Sequence, residues 1–357
     1  MKVYFDIQHL YYIPQYLPVM TELEAKGVNC HFILHQQTLL NDVLIDFVNQ
    51  HQLNHLWVAD KEAARQLYLQ DKPEWIIFGN AIEHLQEINQ YSKTALMQHG
   101  IGPKSCYYEV SKSDFGYRFV EGEHRLKRLQ AMFPSKTFIN TGYAKLDPII
   151  NGSIEKLNLA ELGLDPHKKT LLYAPTFYPS SIECLPNDFP AQLQQYNIIV
   201  KPHFFSLIKK GYQKQRQRFS EWKKYPNIYI ATVSEVSILP FMDCADLMFS
   251  DASSTLFEFT ALNKPAIWCD FYKVRWAYRG IFKWRLKKRL DPDLEYFSKV
   301  AQQVKNTQAL YQQIETQLQI PTLKENDRLQ MTELLTGKVD GLSSKRIVDY
   351  ILTEEGL

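Results

Sequence analysis

Two short segments each place a histidine just after an apolar run: Thr94-Ala95-Leu96-Met97-Gln98-His99-Gly100 and Ile198-Ile199-Val200-Lys201-Pro202-His203. Near neutral pH an imidazole can take a proton from a hydroxyl or, once charged, stabilise a phosphate, and either role contributes about 10²–10⁴-fold to a rate. His99 is therefore the leading catalytic candidate, and Gly100 beside it lets a ligand approach the backbone closely. His203 is the second, with Lys201 beside it as a further cation for phosphate.

A third constellation runs Asp246-Leu247-Met248-Phe249-Ser250-Asp251-Ala252-Ser253-Ser254-Thr255 and continues into the helical stretch 256–262. The start of a helix offers unpaired N–H groups and positive potential, and Ser253, Ser254 and Thr255 would add hydroxyl donors for a phosphate. Asp251 lies in the same turn, and Glu258, one helical turn further on, is spaced to reach ribose hydroxyls. Thr176, after Tyr173-Ala174-Pro175, and Thr232, after Ile230-Ala231, end two more apolar runs and are expected on the same rim. The structural alternatives for these residues are an ordinary helix cap and loop histidines bonded to nearby carbonyls. His9, after the first run, is expected to pack. There is no G-x-x-x-x-G-K-[ST], no full G-x-G-x-x-G and no H-E-x-x-H, so neither a P-loop nor a metal is expected. Asp291-Pro292-Asp293 reads as a surface turn. The five cysteines form no C-x-x-C pair and are expected to be reduced and buried.

To present such residues together, each run must be a strand that feeds a helix. The segments KVYFDI, VNCHFIL, WIIFG, TALMQHG and TFINTG read as strands, with helices over Pro18–Lys26 and Leu39–Gln50 between the first ones. The pattern breaks at Asn151-Gly152-Ser153 and restarts with TLLYAPT, YNIIVKPH, NIYIAT, ADLMFSD and PAIWCD, becoming helical after residue 295. The fold class expected is α/β, with two Rossmann-like, doubly wound domains over 1–152 and 153–340 and functional loops at the carboxyl ends of parallel strands. The terminal stretch 341–357 is expected to form a helix that packs back on the first domain.

With 357 residues, 45% of them hydrophobic, the chain has apolar material for about two ordinary domains. No apolar stretch reaches the ~18–20 residues that span a bilayer, and a cytoplasmic protein is expected. The formal charge of +2 is unevenly spread: 209–224 and 272–289 together carry +14, leaving the remainder at −12. Within the second run Arg275, Trp276, Arg279, Lys283, Trp284 and Arg285 mix cations with indoles. That mixture suits an anionic membrane surface or a polyanionic substrate, the alternative being a solvated helical face. No nucleic-acid partner is expected, because no RNP, zinc-finger or helix-turn-helix pattern accompanies the charge.

Taken in order, QHGIGPK (98–104), GYAKLDPI (142–149), LLYAPTF (171–177), IIVKPH (198–203) and the block 245–270 resemble the CDP-glycerol glycerophosphotransferase family, which includes teichoic-acid primases and polymerases. The resemblance implies a GT-B-like architecture, with an acceptor-side first domain facing a nucleotide-donor second domain across a cleft. It implies transfer of glycerol phosphate, or a related polyol phosphate, from a CDP-linked donor to an acceptor hydroxyl, releasing CMP. The acceptor would be a saccharide or lipid-linked unit in the biosynthesis of teichoic acid, capsule or lipopolysaccharide. No cofactor or metal is implied beyond the donor substrate, and the place of action would be the cytoplasm, peripheral to the inner face of the membrane. By motif, His99 falls on the family's base toward the acceptor, and His203 on its donor-phosphate histidine. Asp251, Ser253 and Ser254 fall on its acidic-Tyr-Ser-Ser block and Glu258 on its downstream acid. Phe204 stands where the family has proline, and Ala252 where it has an aromatic residue. Two other functions share these features: a GT-B glycosyltransferase using a UDP- or CMP-linked sugar, and a non-catalytic protein that docks on membranes through 272–289.

Overall fold

The computed structural model describes residues 1–36, 39–101, 105–273 and 295–357. The chain divides into two compact units, one holding Met1–Gly100, Ser105–Ser153 and Glu333–Leu357, the other built on Ile154–Thr332.

The first unit contains β1 (Lys2–Ile7), β2 (Asn29–His35), β3 (His55–Val58), β4 (Trp75–Phe78), β5 (Lys93–Met97), β6 (Tyr117–Val120) and β7 (Ile139–Asn140). They form a seven-stranded sheet in the order β3-β2-β1-β4-β5-β6-β7. The second unit contains β8 (Thr170–Tyr173), β9 (Asn197–Val200), β10 (Ile228–Ile230), β11 (Leu247–Ser250), β12 (Ala266–Cys269) and β13 (Gln302–Val304), ordered β10-β9-β8-β11-β12-β13. Every pairing is parallel. Parallel sheets are covered on both faces, which is why β4, β8, β9 and β11 are unbroken apolar or buried runs rather than alternating ones. Both units therefore show the doubly wound α/β class expected from the sequence. In each, the strand order reverses once, between β1 and β4 and between β8 and β11, and ligands of this class bind outside the carboxyl ends at that reversal.

Three strands were not expected. β3, His55-Leu56-Trp57-Val58, and β6, Tyr117-Arg118-Phe119-Val120, each carry a polar residue that breaks the apolar run, and β13 is a polar edge strand, Gln302-Gln303-Val304, within a stretch read as helical. The first helix also begins earlier, at Ile13 instead of Pro18. Pro14 falls in its first turn, where a missing N–H costs nothing, while Pro18 is carried inside.

The core of the second unit has an aromatic cluster within its aliphatic residues: Tyr173 and Phe249, opposite each other on β8 and β11, stack at 4.6 Å and 13°. Phe189 and Trp222 complete the cluster, and the indole donates to Pro186 O at 2.9 Å. In the first unit the sheet is sealed by returning chain. Gly122, at φ +69, leaves no room for a side chain, since a Cβ there would lie 2.5–2.6 Å from the backbone of Leu334 and Leu335. The helix Ser343–Glu354 then buries Ile347, Val348 and Ile351. The chain thus rejoins this unit at Glu333, ahead of the 341–357 segment expected to do so. The start of that helix is held by Asp147, buried and 2% exposed, which accepts from the N–H groups of Ser343 (3.2 Å) and Ser344 (2.6 Å) and from the Ser344 hydroxyl (2.6 Å).

Asp147→Ala leaves these buried donors without an acceptor, which costs about 1–3 kcal/mol. Denaturant titration should show the lower midpoint, and limited proteolysis should cut first near residues 340–343. An unchanged midpoint would remove Asp147 as the anchor of the C-terminal helix.

Candidate active-site residues at the strand ends

In the first unit His99 follows β5 and is half-buried among tyrosines. Its ring lies 4.3 Å from Tyr11, 5.1 Å from Tyr12 and 5.7 Å from Tyr107, centroid to centroid. Nε2 is 3.5 Å from the Tyr107 hydroxyl, and the His99 carbonyl accepts from the Tyr143 hydroxyl at 2.7 Å. Beneath this loop Arg125 and Glu121 form a buried ion pair at 2.7 Å, and the guanidinium lies 3.4 Å from Gly100 O. Gly100 is thus held by its carbonyl. His9 stacks on Tyr11 at 5.0 Å and 20°, consistent with the packing expected of it.

In the second unit the loops after β8 and β11 are tied together by Asp251. Its carboxylate, 2% exposed, accepts from the N–H groups of Thr176 and Ser181, both at 2.9 Å, and lies 3.3 Å from the Thr176 hydroxyl oxygen. Burial pushes this carboxyl up to about 6, against the pull of the Ser181, Ser180 and Thr176 donors. Thr176 also donates its hydroxyl to Pro179 O at 2.6 Å. Lys201 follows β9, with its N–H on Tyr173 O at 2.8 Å. His203 caps the short helix Phe204–Ile208: its Nδ1 accepts from Phe205 N at 3.2 Å, so the proton of the neutral ring sits on Nε2. Phe177, Phe204 and Phe205 surround that ring at 4.6, 4.7 and 5.0 Å. After β11, Ser253 caps the helix Ser254–Thr260, taking the Thr255 N–H at 3.4 Å and the Thr255 hydroxyl at 3.0 Å. Glu258 lies in this helix and is 1% exposed. Thr232, after β10, gives its N–H and hydroxyl to Glu235 at 2.7 and 3.1 Å.

Residues 47–353, which include both histidine loops, match the family model described as CDP-Glycerol:Poly(glycerophosphate) glycerophosphotransferase. This chain belongs to that family. It is 24% identical over 234 residues to a teichoic acid glycerol-phosphate primase of Bacillus subtilis (strain 168), covering 58% of each protein. The chain therefore spans little more than half the length of that curated relative. Among solved structures it is similar to the wall teichoic acid polymerase TagF, at TM-score 0.67 and 16% identity over 99% of this chain and 88% of that one. It is also similar to a UDP-GlcNAc 2-epimerase from Neisseria meningitidis bound to UDP-GlcNAc, at TM-score 0.62 and 15% identity over 99% and 100% of the two chains. At these identities the likeness is one of fold.

In this glycerophosphotransferase-family chain the candidates form two groups, one in each unit: His99 and Gly100 in the first, and Thr176, Lys201, His203, Thr232, Asp251, Ser253, Ser254, Thr255 and Glu258 in the second. The Asp251 carboxylate is turned into the loop bases. Arg275, Trp276, Arg279, Lys283, Trp284 and Arg285 lie outside the described residues, as does Asp291-Pro292-Asp293. Among the described residues no group of three or more His, Cys, Asp or Glu could hold a metal ion, and no helix is long and apolar enough to cross a membrane. Sequence reading did not single out Tyr11, Tyr12, Tyr107, Tyr143 or Ser181. Tyr11 and Tyr12 carry a usable signal, since they stand two and three residues after His9 in the first strand-to-helix turn. Tyr107 and Ser181 carry none, because only folding brings them to the strand ends.

The raised carboxyl of Asp251 has a definite pH consequence. Its unfolded value is about 4, so between about pH 4 and 6 the folded chain holds a proton that the unfolded chain has released, and stability falls as pH rises through that window. The integrated effect is about 3 kcal/mol. Asp251→Asn removes this component. Unfolding free energies of the two proteins, measured from pH 4 to 7, should differ by an amount that changes over that window and is flat above it; parallel curves would refute a proton on Asp251.

Proposed function

We propose that the chain transfers glycerol phosphate, or a related polyol phosphate, from a CDP-linked donor to an acceptor hydroxyl during cell-surface polymer synthesis, releasing CMP. The observation that carries this reading is the family match over residues 47–353, which takes in both histidine loops. On this reading His99 receives the acceptor's proton as its oxygen attacks the donor's β-phosphorus. The bond from that phosphorus to the bridging oxygen breaks, and CMP leaves with the electron pair. His203 through Nε2–H, Lys201 and the 253–255 turn hold the diphosphate and offset the charge that builds on the leaving group, while Asp251 keeps Thr176 in place. Phosphoryl transfer of this kind depends chiefly on alignment and charge stabilisation. The acceptor is a saccharide or lipid-linked unit met at the cytoplasmic face of the membrane. The basic run 209–224, where Lys209, Lys210 and Lys214 are exposed, and the run 272–289 supply attraction to an anionic leaflet.

His99→Ala should lower turnover by roughly 10²-fold or more while cytidine-nucleotide binding is kept. Thermal shifts with CMP, CDP, CDP-glycerol, CDP-ribitol, UMP, UDP and UDP-sugars should show selective stabilisation by the cytidine compounds. A uridine preference, or a glycosidic bond in the product in place of a phosphodiester, would make the chain a glycosyltransferase instead.

Reversing the charge of Arg275, Arg279 and Lys283 should weaken binding to anionic vesicles by about 1 kcal/mol per residue and leave turnover of a soluble acceptor unchanged. Loss of soluble turnover without loss of vesicle binding would assign the run to the acceptor instead.

A further inference from the structure

The reversal of strand order in the first unit brings the loop after β1 against the end of β4. At that point the chain has Gly79, whose φ is not positive, so the backbone itself does not call for glycine. What excludes a side chain is space: a Cβ at 79 would lie 2.7 and 2.8 Å from Cε2 and Cδ2 of Tyr12, and 2.7 Å from the Tyr16 hydroxyl. Tyr12 is 1% exposed and Tyr16 fully buried, so neither ring has solvent to retreat into. The Tyr12 ring also packs on His99, 5.1 Å centroid to centroid at 31°. Burial raises both tyrosine hydroxyls well above their ordinary range, and the rings stay neutral.

We propose that Tyr12 and Gly79 are positioning residues for His99, the Tyr12 ring being the seat of the imidazole and the missing side chain at 79 the space that lets the ring lie there. This rests on the function proposed above only in giving the imidazole a reaction to align; the seat itself is a property of the first unit. A methyl group at 79 displaces the Tyr12 ring from its place against His99, and displacements near 1 Å of a reacting group cost on the order of 10²-fold in rate. The Tyr12 hydroxyl bonds Tyr11, whose ring also packs on His99 at 4.3 Å, so phenylalanine loses this bond but keeps the Tyr12 face, whereas leucine loses the face as well.

The test uses the full chain with ¹³C-labelled histidine, the His99 Cε1–H resonance being the one that His99→Ala removes. Ring currents from Tyr12 displace this resonance. Tyr12→Phe should move it less than Tyr12→Leu and Gly79→Ala do; in turnover, the last two should lose kcat by tenfold or more with the donor KM within about twofold. A resonance that stays put in both Tyr12→Leu and Gly79→Ala, or that moves as far in Tyr12→Phe, overturns the inference. Should Gly79→Ala fail to fold, the leucine and phenylalanine pair decides it. If the wild-type chain turns over no CDP-linked donor while the resonances behave as stated, the proposed function falls and the seat stands.

Discussion

A sheet whose strands all run one way must carry the chain back to its starting edge after every strand. In both units this constraint puts each strand-to-helix loop on one edge, so His99, Thr176, Lys201, His203, Thr232 and Asp251 share the carboxyl edge of their own sheet without further design. The order then reverses once, and at the reversal two neighbouring loops leave in opposite directions. The space between them must be filled. In the first unit it is filled by rings, Tyr12 and Tyr16 packed against Gly79. In the second it is filled by a carboxylate, Asp251 reaching from the end of β11 to the loop that follows β8.

Filling such a place with a carboxylate carries a desolvation cost, and burial of Asp251 shows it as a carboxyl raised to about 6. What offsets the cost is the set of donors it gathers, N–H groups of a loop that has no strand to pair with. Asp147 does the same at the start of the C-terminal helix, and burial likewise raises it. Asp6, at the end of β1, accepts from His35 at 2.8 Å and Tyr68 at 2.6 Å. Asp147 and Asp251 thus stand where chain segments distant in sequence are joined by no backbone ladder, while Asp6 adds a side-chain link between the paired strands β1 and β2.

This division also decides what could be read from the sequence. Strands buried on both faces announce themselves as apolar runs, and Trp75–Phe78, Thr170–Tyr173, Asn197–Val200 and Leu247–Ser250 were all legible for that reason. Gln302–Val304 was not, because an edge strand made of two glutamines and a valine has no apolar pattern. Among the candidate residues, those that directly end a strand were legible from position alone. The partners that hold them were not: Ser181 meets Asp251 across 70 residues, and Tyr143 meets the His99 carbonyl across 44. Asp147 was visible as part of a motif block, but its bond to a helix nearly 200 residues on has no local signature.

The two histidines end in unlike surroundings, and the difference bears on which can do what. His99 stands among hydroxyl-bearing rings, with a tyrosine oxygen 3.5 Å from Nε2. His203 has Nδ1 committed to a backbone N–H and three phenylalanines about its ring. A neutral ring whose Nδ1 accepts carries its proton on Nε2, where it is a donor. Phe204, the departure from the family's proline, fits this arrangement. Because His203 is the cap, residue 204 is the first residue of the helix, a position whose N–H has no intrahelical partner and which proline or phenylalanine can fill. The phenylalanine adds a face stacked on the imidazole at 4.7 Å and 24°.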